Sequence, residues 1–169
     1  MHYYQYCPHC GAKAFVFHGA EHFSCSSCGH ELFLNSAAAV VAIIRNDKGE
    51  IMLAKRARNP WKGTLDLPGG FVDPGENFEK AMKREIKEEL NRELVDMKYL
   101  TSTFNTYPYS GRDVYTTDAV FECQLDNIEN ISPCDDVASI HWMRPEEVDI
   151  SIIPSESMRR IIAFLAKKM

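Results

Sequence analysis

Runs of apolar residues separated by short polar segments divide the chain into strands, turns and two helices. The first long run, residues 37–44, contains only Ala, Val and Ile, which predicts a buried strand. The Asn-Asp-Lys-Gly segment at 46–49 predicts a hairpin turn, and residues 51–55 are expected to form the partner strand. A short strand is predicted at 65–67, and the Pro-Gly-Gly segment at 68–70 is expected to end it.

Two segments have the features of amphipathic helices. The first is predicted from Asn77, a good N-cap residue, to Leu90, and Asn91 can adopt the left-handed conformation that ends many helices. The second is predicted at residues 156–167. Further strands are predicted at 94–104, 114–125 and 138–143.

The composition is that of a folded globular protein, with 45% hydrophobic and 25% charged residues among 169. This length accommodates one catalytic domain and one small module. The longest apolar run, 37–44, is far shorter than the roughly 18 residues of a membrane span, and no leader segment precedes Cys7. We therefore expect a cytoplasmic protein that does not enter a membrane. The net charge of -5 argues against general binding to nucleic acid.

Four of the six cysteines form two Cys-x-x-Cys pairs near the N-terminus. The pairs Cys7/Cys10 and Cys25/Cys28 are separated by fourteen residues, and a glycine follows each pair. A two-residue spacer lets a tight turn direct both thiolates at one ion, and glycine relieves crowding where the backbone approaches sulfur. The pattern predicts a zinc ribbon over residues 1–36, in which Zn²⁺ supplies most of the folding free energy.

The other polar residues of this module bear on its role. Lys13 is the only Lys or Arg before Ser36, which argues against reading of DNA and favours a spacer or a dimerisation element of a homodimer. Four thiolates already saturate a structural zinc ion, so the histidines of the module are not expected to be ligands. These histidines are His2, His9, His18, His22 and His30.

Three glutamates of the first predicted helix lie at i, i+3 and i+4. Glu85, Glu88 and Glu89 therefore project from one face within a single turn. Their mutual repulsion favours a hard divalent cation with oxygen ligands, although a solvated helix with Glu/Lys pairs is the alternative. Arg84 can reach Glu88 at i+4 and orient it, and the upstream Gly-Gly segment can bring backbone carbonyls close to the same metal ion.

The sequence around this helix resembles the Nudix box. The matching positions are Gly70, Glu76, Arg84-Glu85-Ile86 and Glu88-Glu89 at the spacing of that motif, with Asn91 where glycine is usual and Arg92 where an apolar residue is usual. Membership of the Nudix hydrolase family implies an α+β fold. The expected arrangement is an α/β/α sandwich with a mixed sheet over residues 37–169, preceded by the ribbon.

The ribbon and three shorter matches resemble the zinc-ribbon NADH pyrophosphatase branch of that family. Residues 107–110 (Tyr-Pro-Tyr-Ser) resemble the end of its substrate motif, whereas residues 103–106 (Thr-Phe-Asn-Thr) depart from the first half. Residues 136–142 resemble an acidic residue six positions before tryptophan, and residues 154–162 resemble the start of the last helix.

The resemblance implies a set of ligands for catalytic Mg²⁺ or Mn²⁺. Glu85 and Glu89 would bind the metal, Glu88 would bind it or position water, and Arg84 would orient these carboxylates. The remaining candidates are the carbonyl of Gly69 or Gly70, the carboxylate of Asp136, and Glu122, for which an exposed strand glutamate is the alternative reading.

The resemblance also implies a nucleotide as substrate. Tyr107 and Tyr109 would stack on a base or nicotinamide ring, with core packing as the alternative for each, and Ser110 closes the same motif. The implied reaction is metal-dependent hydrolysis of the diphosphate linkage in NADH, NAD or ADP-ribose. Decapping of dinucleotide-capped RNA and silent binding of a nucleotide by a sensor are the two alternatives.

Overall fold

The computed structural model describes residues 4–19 and 21–167. The chain divides into two compact units, Met1–Ser36 and Ala37–Met169. His2, which the sequence argument set aside as a zinc ligand, lies outside the described residues.

The smaller unit is an antiparallel three-stranded sheet. Its strands are β1 (Phe15–Gly19), β2 (His22–Cys25) and β3 (Glu31–Phe33), and they lie in that order. The buried core consists of Phe15 and Phe23, whose rings stack with centroids 5.4 Å apart, and two cysteines. So small a core cannot offset the conformational entropy of the chain, and a bound metal would supply the missing free energy.

The larger unit, within residues 37–167, consists of two sheets and two α-helices. The elements are β4 (Ala37–Ile43), β5 (Ile51–Arg56), β6 (Leu65–Asp66), β7 (Gly69–Phe71), α1 (Phe78–Leu90), β8 (Leu94–Tyr109), β9 (Arg112–Leu125), β10 (Val137–Met143), short 3₁₀ helices at Pro145–Glu147 and Ile150–Ile152, and α2 (Glu156–Lys167). One sheet has the order β7-β4-β9-β8, in which β4 and β9 are parallel and the other neighbours are antiparallel. The other sheet has the order β10-β5-β6. The predicted mixed sheet is confirmed.

Successive residues of the central strands face two different cores. On one face of the larger sheet, Val40 and Phe121 pack with α1, including Ile86. On the other face, Ile43 and Val120 pack with α2. A helix therefore covers each face of the sheet, which confirms the expected layered α+β fold. Each fully buried Leu, Ile or Phe side chain contributes about 1.5–3 kcal/mol to this packing.

Helix α1 begins and ends where its capping residues predict. The Asn77 side chain accepts a hydrogen bond from the Lys80 amide at 3.0 Å, and Asn91 has the left-handed φ of 50°. Helix α2 has the predicted bounds 156–167. Neither helix of the described chain combines the length and the apolar character that a membrane crossing requires.

The predicted pairing of strands 37–44 and 51–55 is wrong. The turn at 46–49 forms, but beyond it the two strands share only one bridge, between Arg45 and Ile51, and they belong to different sheets. Both edges of β4 are already occupied, because β7 pairs with one edge and β9 with the other. Strand β5 pairs instead with β6 and β10.

Two segments expected to interrupt or follow strands are themselves strands. Gly69 and Gly70 form β7 together with Phe71, because glycine allows β7 to lie against β4. A Cβ at Gly69, whose φ is +135°, would stand 2.1 Å from the Val40 carbonyl oxygen. Residues 107–109 extend β8, and the turn into β9 consists of Ser110 and Gly111, both with positive φ.

Candidate active site

The four cysteines of the smaller unit converge on one point. Their Sγ atoms all lie within 4.8 Å of one another, with 3.8 Å between Cys7 and Cys28 and 3.7 Å between Cys10 and Cys25. A tetrahedron with metal–sulfur bonds of about 2.3 Å has edges of about 3.8 Å, so the spacing fits Zn²⁺. Gly11 and Gly29 both have φ of +74°, which gives the two turns the same shape.

A cavity of about 330 Å³ in the larger unit contains most of the other predicted residues. Its volume is within the range of roughly 300–1,000 Å³ that is usual for small-molecule sites. Its wall has two guanidinium groups, Arg56 and Arg84, against eight carboxylates. The carboxylates belong to Asp66, Asp73, Glu85, Glu88, Glu89, Asp118, Asp135 and Asp136.

Arg84 connects α1 to the segment before it. Its Nε and Nη2 donate to the two carboxylate oxygens of Glu76, at 3.0 and 2.8 Å, and Nη2 also donates to the Phe71 carbonyl oxygen at 2.9 Å. Its Nη1 donates to Glu85 at 2.7 Å and to Glu88 at 3.2 Å. The bidentate contact with Glu76 raises the pKa of Arg84 and lowers the pKa of Glu76. The predicted contact with Glu88 is present, but Glu76 is the main partner.

Glu85 and Glu89 face the cavity at the edge of β7. Glu85 lies so close to Gly70 that a Cβ there would stand 2.3 Å from the Glu85 Oε1. Glu89 accepts a hydrogen bond from the Gly69 amide at 3.0 Å. Burial raises the pKa of Glu89 to about 8, and the negative charges of Glu85 and of other cavity carboxylates add to this effect. Burial also raises the pKa of Glu85 despite its contact with Arg84.

The three glutamates do not meet at a single point. Glu88 is more exposed, with 48% of its side chain accessible, and it is paired with Arg84. Within residues 4–19 and 21–167, the four cysteines are the one cluster of at least three potential ligands with ligand atoms inside 4.8 Å. The excess of carboxylates in the cavity wall nevertheless fits a divalent cation, because such an ion would stabilise the half-buried Glu85 and Glu89 in their charged forms.

The other predicted metal ligands divide between the cavity and the surface. Asp136 lies in the cavity wall and forms an ion pair with Arg58 at 2.8 Å. Glu122 does not reach the cavity. It is 45% exposed and forms an ion pair with Arg45 at 3.3 Å. Asp118 is the last residue of β9 that lines the cavity, and Glu122 lies four residues beyond it.

The predicted substrate segment is also divided. Tyr107 lies in the cavity wall, with its ring edge-on to Trp61 at 5.3 Å and to Phe71 at 5.8 Å. Tyr109 is 61% exposed, and Ser110 is in the exposed β8–β9 turn. Neither of the last two residues lines the cavity. Alternate residues of a strand share a face, so Tyr109 lies on the same face of β8 as Tyr107. The cavity, however, does not extend that far along the strand.

Sequence reasoning missed a polar pair beneath Tyr107. Arg56 Nη1 donates to Asp66 at 3.0 Å, and its Nη2 donates to the Tyr107 hydroxyl at 3.0 Å. Burial raises the pKa of Asp66 in spite of this ion pair. The available signal was an aspartate between two leucines, Leu65 and Leu67, since a charge in an apolar strand must have a partner or a function.

Sequence reasoning also missed five buried polar residues that line the same cavity. They come from β8, β9 and the start of α2, which are far apart in the chain. Strand periodicity predicts that residues 116 and 118 share a face, but no local signal relates them to α2. The five residues are Asn105, Thr116, Asp118, Ser155 and Ser157.

Comparison with known proteins gives matches over nearly the whole chain. A family model described as NUDIX domain matches residues 35–163. Over 60 residues the chain is 53% identical to an ADP-ribose pyrophosphatase of Methanocaldococcus jannaschii, and the aligned segment covers 36% of this chain and 35% of that protein. Over 159 residues it is 26% identical to the NAD-capped RNA hydrolase NudC of Escherichia coli O1:K1, covering 94% of this chain and 59% of the relative. The chain thus spans about a third and about three fifths of these two relatives.

Solved structures share the fold. A NUDIX hydrolase from Nitrosomonas europaea superposes with a TM-score of 0.70 at 18% identity, covering 98% of this chain and 92% of that one. A bifunctional NMN adenylyltransferase/ADP ribose pyrophosphatase from Francisella tularensis gives a TM-score of 0.56 at 22% identity, covering 81% of this chain and 42% of that one.

The raised pKa of Glu89 predicts how the stability of the metal-free protein depends on pH. The folded state keeps this proton up to a pH of about 8, whereas the unfolded state loses it near about 4.3. The free energy of unfolding should therefore decrease as the pH rises between these values, by at most about 1.4 kcal/mol per pH unit. Urea unfolding of Glu89→Gln should show a shallower decrease, and Glu79→Gln, at an exposed position of α1, should keep the original one. An unchanged slope in Glu89→Gln would contradict the assignment.

The cysteine cluster predicts about one bound zinc per chain. Metal analysis of the purified protein should find this ion, and Cys10→Ser should lose it because one of four ligands is removed. Cys134→Ser is the matched control, since Cys134 is an exposed cysteine outside the cluster and its loss should leave the zinc content unchanged. Equal zinc content in both variants would show that the cluster is not the site.

Proposed function

Since the chain belongs to the Nudix family, we propose that it hydrolyses the diphosphate linkage of a nucleoside diphosphate derivative, in the class of NADH, NAD or ADP-ribose. Relatives named ADP-ribose pyrophosphatase and NAD-capped RNA hydrolase support this substrate class. Residues 37–169 form the hydrolase domain in this proposal, and residues 1–36 form a zinc ribbon that takes no part in the chemistry.

The charge of the cavity carries the proposal. Eight carboxylates surround it, and only two guanidinium groups oppose them. A diphosphate is itself an anion, so such a wall would repel it unless cations were bound in between. Divalent cations with oxygen ligands satisfy both sides, because they attract carboxylates and phosphates together. An acidic cavity of this size therefore suits a phosphate ester that arrives with Mg²⁺ or Mn²⁺.

Glu85 and Glu89 are the proposed metal ligands. Both are held in place before any ion binds, Glu85 by Arg84 and Glu89 by the Gly69 amide. Glu88 is more exposed and would either bind metal or accept a proton from the attacking water. Asp136 is a further candidate ligand in the cavity wall, and the backbone at Gly69 and Gly70 is the candidate carbonyl donor.

The bound metal would supply charge stabilisation for the oxygens of the diphosphate. The protein would hold the metal-binding carboxylates in position. Arg84 holds the carboxylates of α1 at fixed distances from β7 through its contacts with Glu76 and the Phe71 carbonyl. The aromatic wall of Trp61, Phe71 and Tyr107 offers ring surfaces for a base or for nicotinamide.

Two alternatives lead to different results in one assay. A decapping hydrolase would need a path for the RNA chain and would prefer capped RNA to the free dinucleotide. A sensor would bind the nucleotide without turnover. Turnover of free NADH, NAD and ADP-ribose, compared with turnover of dinucleotide-capped RNA in the presence of Mg²⁺ and with products separated by chromatography, distinguishes the three.

Removal of one metal-binding charge should abolish most of the activity. Glu89→Gln keeps the volume of the side chain but removes its charge, so kcat should fall by several orders of magnitude while the fold is retained. Glu79→Gln is the matched control on the same helix. It lies in the first turn, where loss of the charge costs at most about 1 kcal/mol of stability, and its kcat should be close to that of the wild type. Activity of Glu89→Gln near the wild-type value would refute the role given to this carboxylate.

The aromatic wall predicts a difference between two nearby tyrosines. Tyr107→Ala should raise KM for dinucleotides by roughly 5- to 150-fold, in line with about 1–3 kcal/mol of lost stacking. The effect on ADP-ribose should be smaller, because ADP-ribose has only one ring to stack. Tyr109→Ala should have little effect, since this side chain is exposed outside the cavity. An equal rise for every substrate would instead place Tyr107 against the adenine that they all share, and an unchanged KM for all of them would mean that Tyr107 is a packing residue.

A further inference from the structure

One end of the cavity contains no proposed metal ligand. Five of its residues are buried polar side chains, contributed by β8, β9 and the start of α2, and none is a proposed metal ligand. In the described structure, Asn105 has an amide oxygen without a hydrogen-bond partner, and Asp118 has a carboxylate without a cationic partner. Buried polar groups are costly unless they are paired, so this end of the cavity needs a ligand.

Asp118 is a buried carboxylate without a cation. Only 6% of the residue is exposed, and the Thr116 hydroxyl donates to its Oδ1 at 2.6 Å. Among the described residues, no Lys, Arg or His forms an ion pair with it. Arg56, in the same cavity, is committed to Asp66 and Tyr107. A single hydroxyl does not offset the desolvation of a carboxylate.

Asn105 supplies an acceptor without a hydrogen-bond partner. The residue is 7% exposed, its Nδ2 donates to the Ser155 hydroxyl oxygen at 3.3 Å, and its Oδ1 has no hydrogen-bond partner in the described structure. Ser155 Oγ also accepts from the Met158 amide at the start of α2, which fixes its position. Asn105 is therefore held through its nitrogen, and its oxygen is left for another donor.

The register of the sheet places these acceptors together. Asn105 on β8 is directly opposite Thr116 on β9, and Asp118 follows Thr116 on the same face. On the other side of β9, the residues opposite Thr116 and Asp118 are Ala37 and Ala39, whose small side chains leave space above them. Tyr107 shares the face of β8 with Asn105. The acceptors therefore lie beside the aromatic wall.

We propose that Asp118 and Asn105 select substrates that carry an exocyclic N–H donor on a ring, either the 6-amino group of adenine or the carboxamide of nicotinamide. This inference rests on the proposed function, because it specifies which group of the substrate enters this end of the cavity. A carboxylate and an amide oxygen accept hydrogen bonds only. An oxo group in place of the amino group leaves them unpaired, and a carboxylate in place of the carboxamide is repelled by Asp118.

Three dinucleotides distinguish the two sources of the donor. They are NAD, its analogue with hypoxanthine in place of adenine, and its analogue with nicotinic acid in place of nicotinamide. One of the two analogues lacks the N–H group that Asp118 and Asn105 bind in NAD. For the wild-type protein with Mg²⁺, kcat/KM for that analogue should be at least about tenfold lower than for NAD, since hydrogen bonds to charged groups are strong. The other analogue should resemble NAD. This arm needs no variant and identifies which ring occupies the site.

Variants then test which residues cause the discrimination. In Asp118→Asn the side chain can rotate to present an N–H group to an oxo or carboxylate substituent, so the ratio of kcat/KM between NAD and the disfavoured analogue should decrease at least about threefold. Asn105→Leu, which has a similar volume, should also decrease it. Asp113→Asn makes the same substitution at an exposed position of β9 and should keep the wild-type ratio.

The failure of this inference differs from the failure of the proposed function. If the wild-type protein turns over all three dinucleotides equally, or if Asp118→Asn and Asn105→Leu lower every kcat/KM by the same factor, the acceptors do not select the substrate and the inference is wrong. If neither a dinucleotide nor ADP-ribose is hydrolysed, the proposed function is wrong. Dissociation constants of the same three ligands, measured by calorimetry, then decide the inference, and equal constants would overturn it.

Discussion

The close approach of β7 to both β4 and α1 is the constraint on which the candidate site depends. Gly69 has no room for a Cβ because the Val40 carbonyl is adjacent, and Gly70 has none because Glu85 lies over it. With these two glycines, β7 can pair with β4 while the carboxylates of α1 reach its edge. The Gly69 amide then fixes Glu89, and the Phe71 carbonyl fixes Arg84. A larger side chain at Gly69 would separate β7 from β4, one at Gly70 would separate α1 from β7, and either change would disperse the site.

This constraint concentrates negative charge in a small volume. The folded protein holds Glu85, Glu89 and Asp66 at raised pKa values because burial disfavours their charged forms. Metal binding and catalysis would then be coupled to stability, since one ion would relieve the repulsion and also attract a diphosphate. The opposite end of the cavity is different in kind. There Asp118 and Asn105 present hydrogen-bond acceptors, which suit N–H donors rather than a cation. The first end of the cavity therefore suits the phosphates of a substrate, and this end suits one of its rings.

Local signals in the sequence were sufficient for the parts of the structure that local interactions determine. The ends of α1 depend on Asn77 and Asn91, and the spacing of Glu85, Glu88 and Glu89 depends on helix geometry alone. Strand pairing was less predictable. Nothing near residues 37–44 reveals that both edges of that strand are taken by β7 and β9. The hairpin turn formed, yet the strand after it joined another sheet.

Glu122 and Asp118 show the same limit within one strand. Both are acidic residues of β9, and they are separated by four residues, so periodicity alone puts them on the same face. Only the register with β4 and β8 decides that Asp118 lines the cavity while Glu122 meets Arg45 outside it. Asp66 was missed for a related reason, because its partners Arg56 and Tyr107 come from distant segments.

The most direct test of the central claim is the identity of the products formed from NADH with Mg²⁺. Hydrolysis at the diphosphate adds one water molecule between the two phosphorus atoms, so the account predicts two mononucleotides in equal amounts, each with one phosphate, and their loss when the divalent ion is chelated. Cleavage between a ring and its ribose would contradict it, as would product formation that is independent of divalent cations.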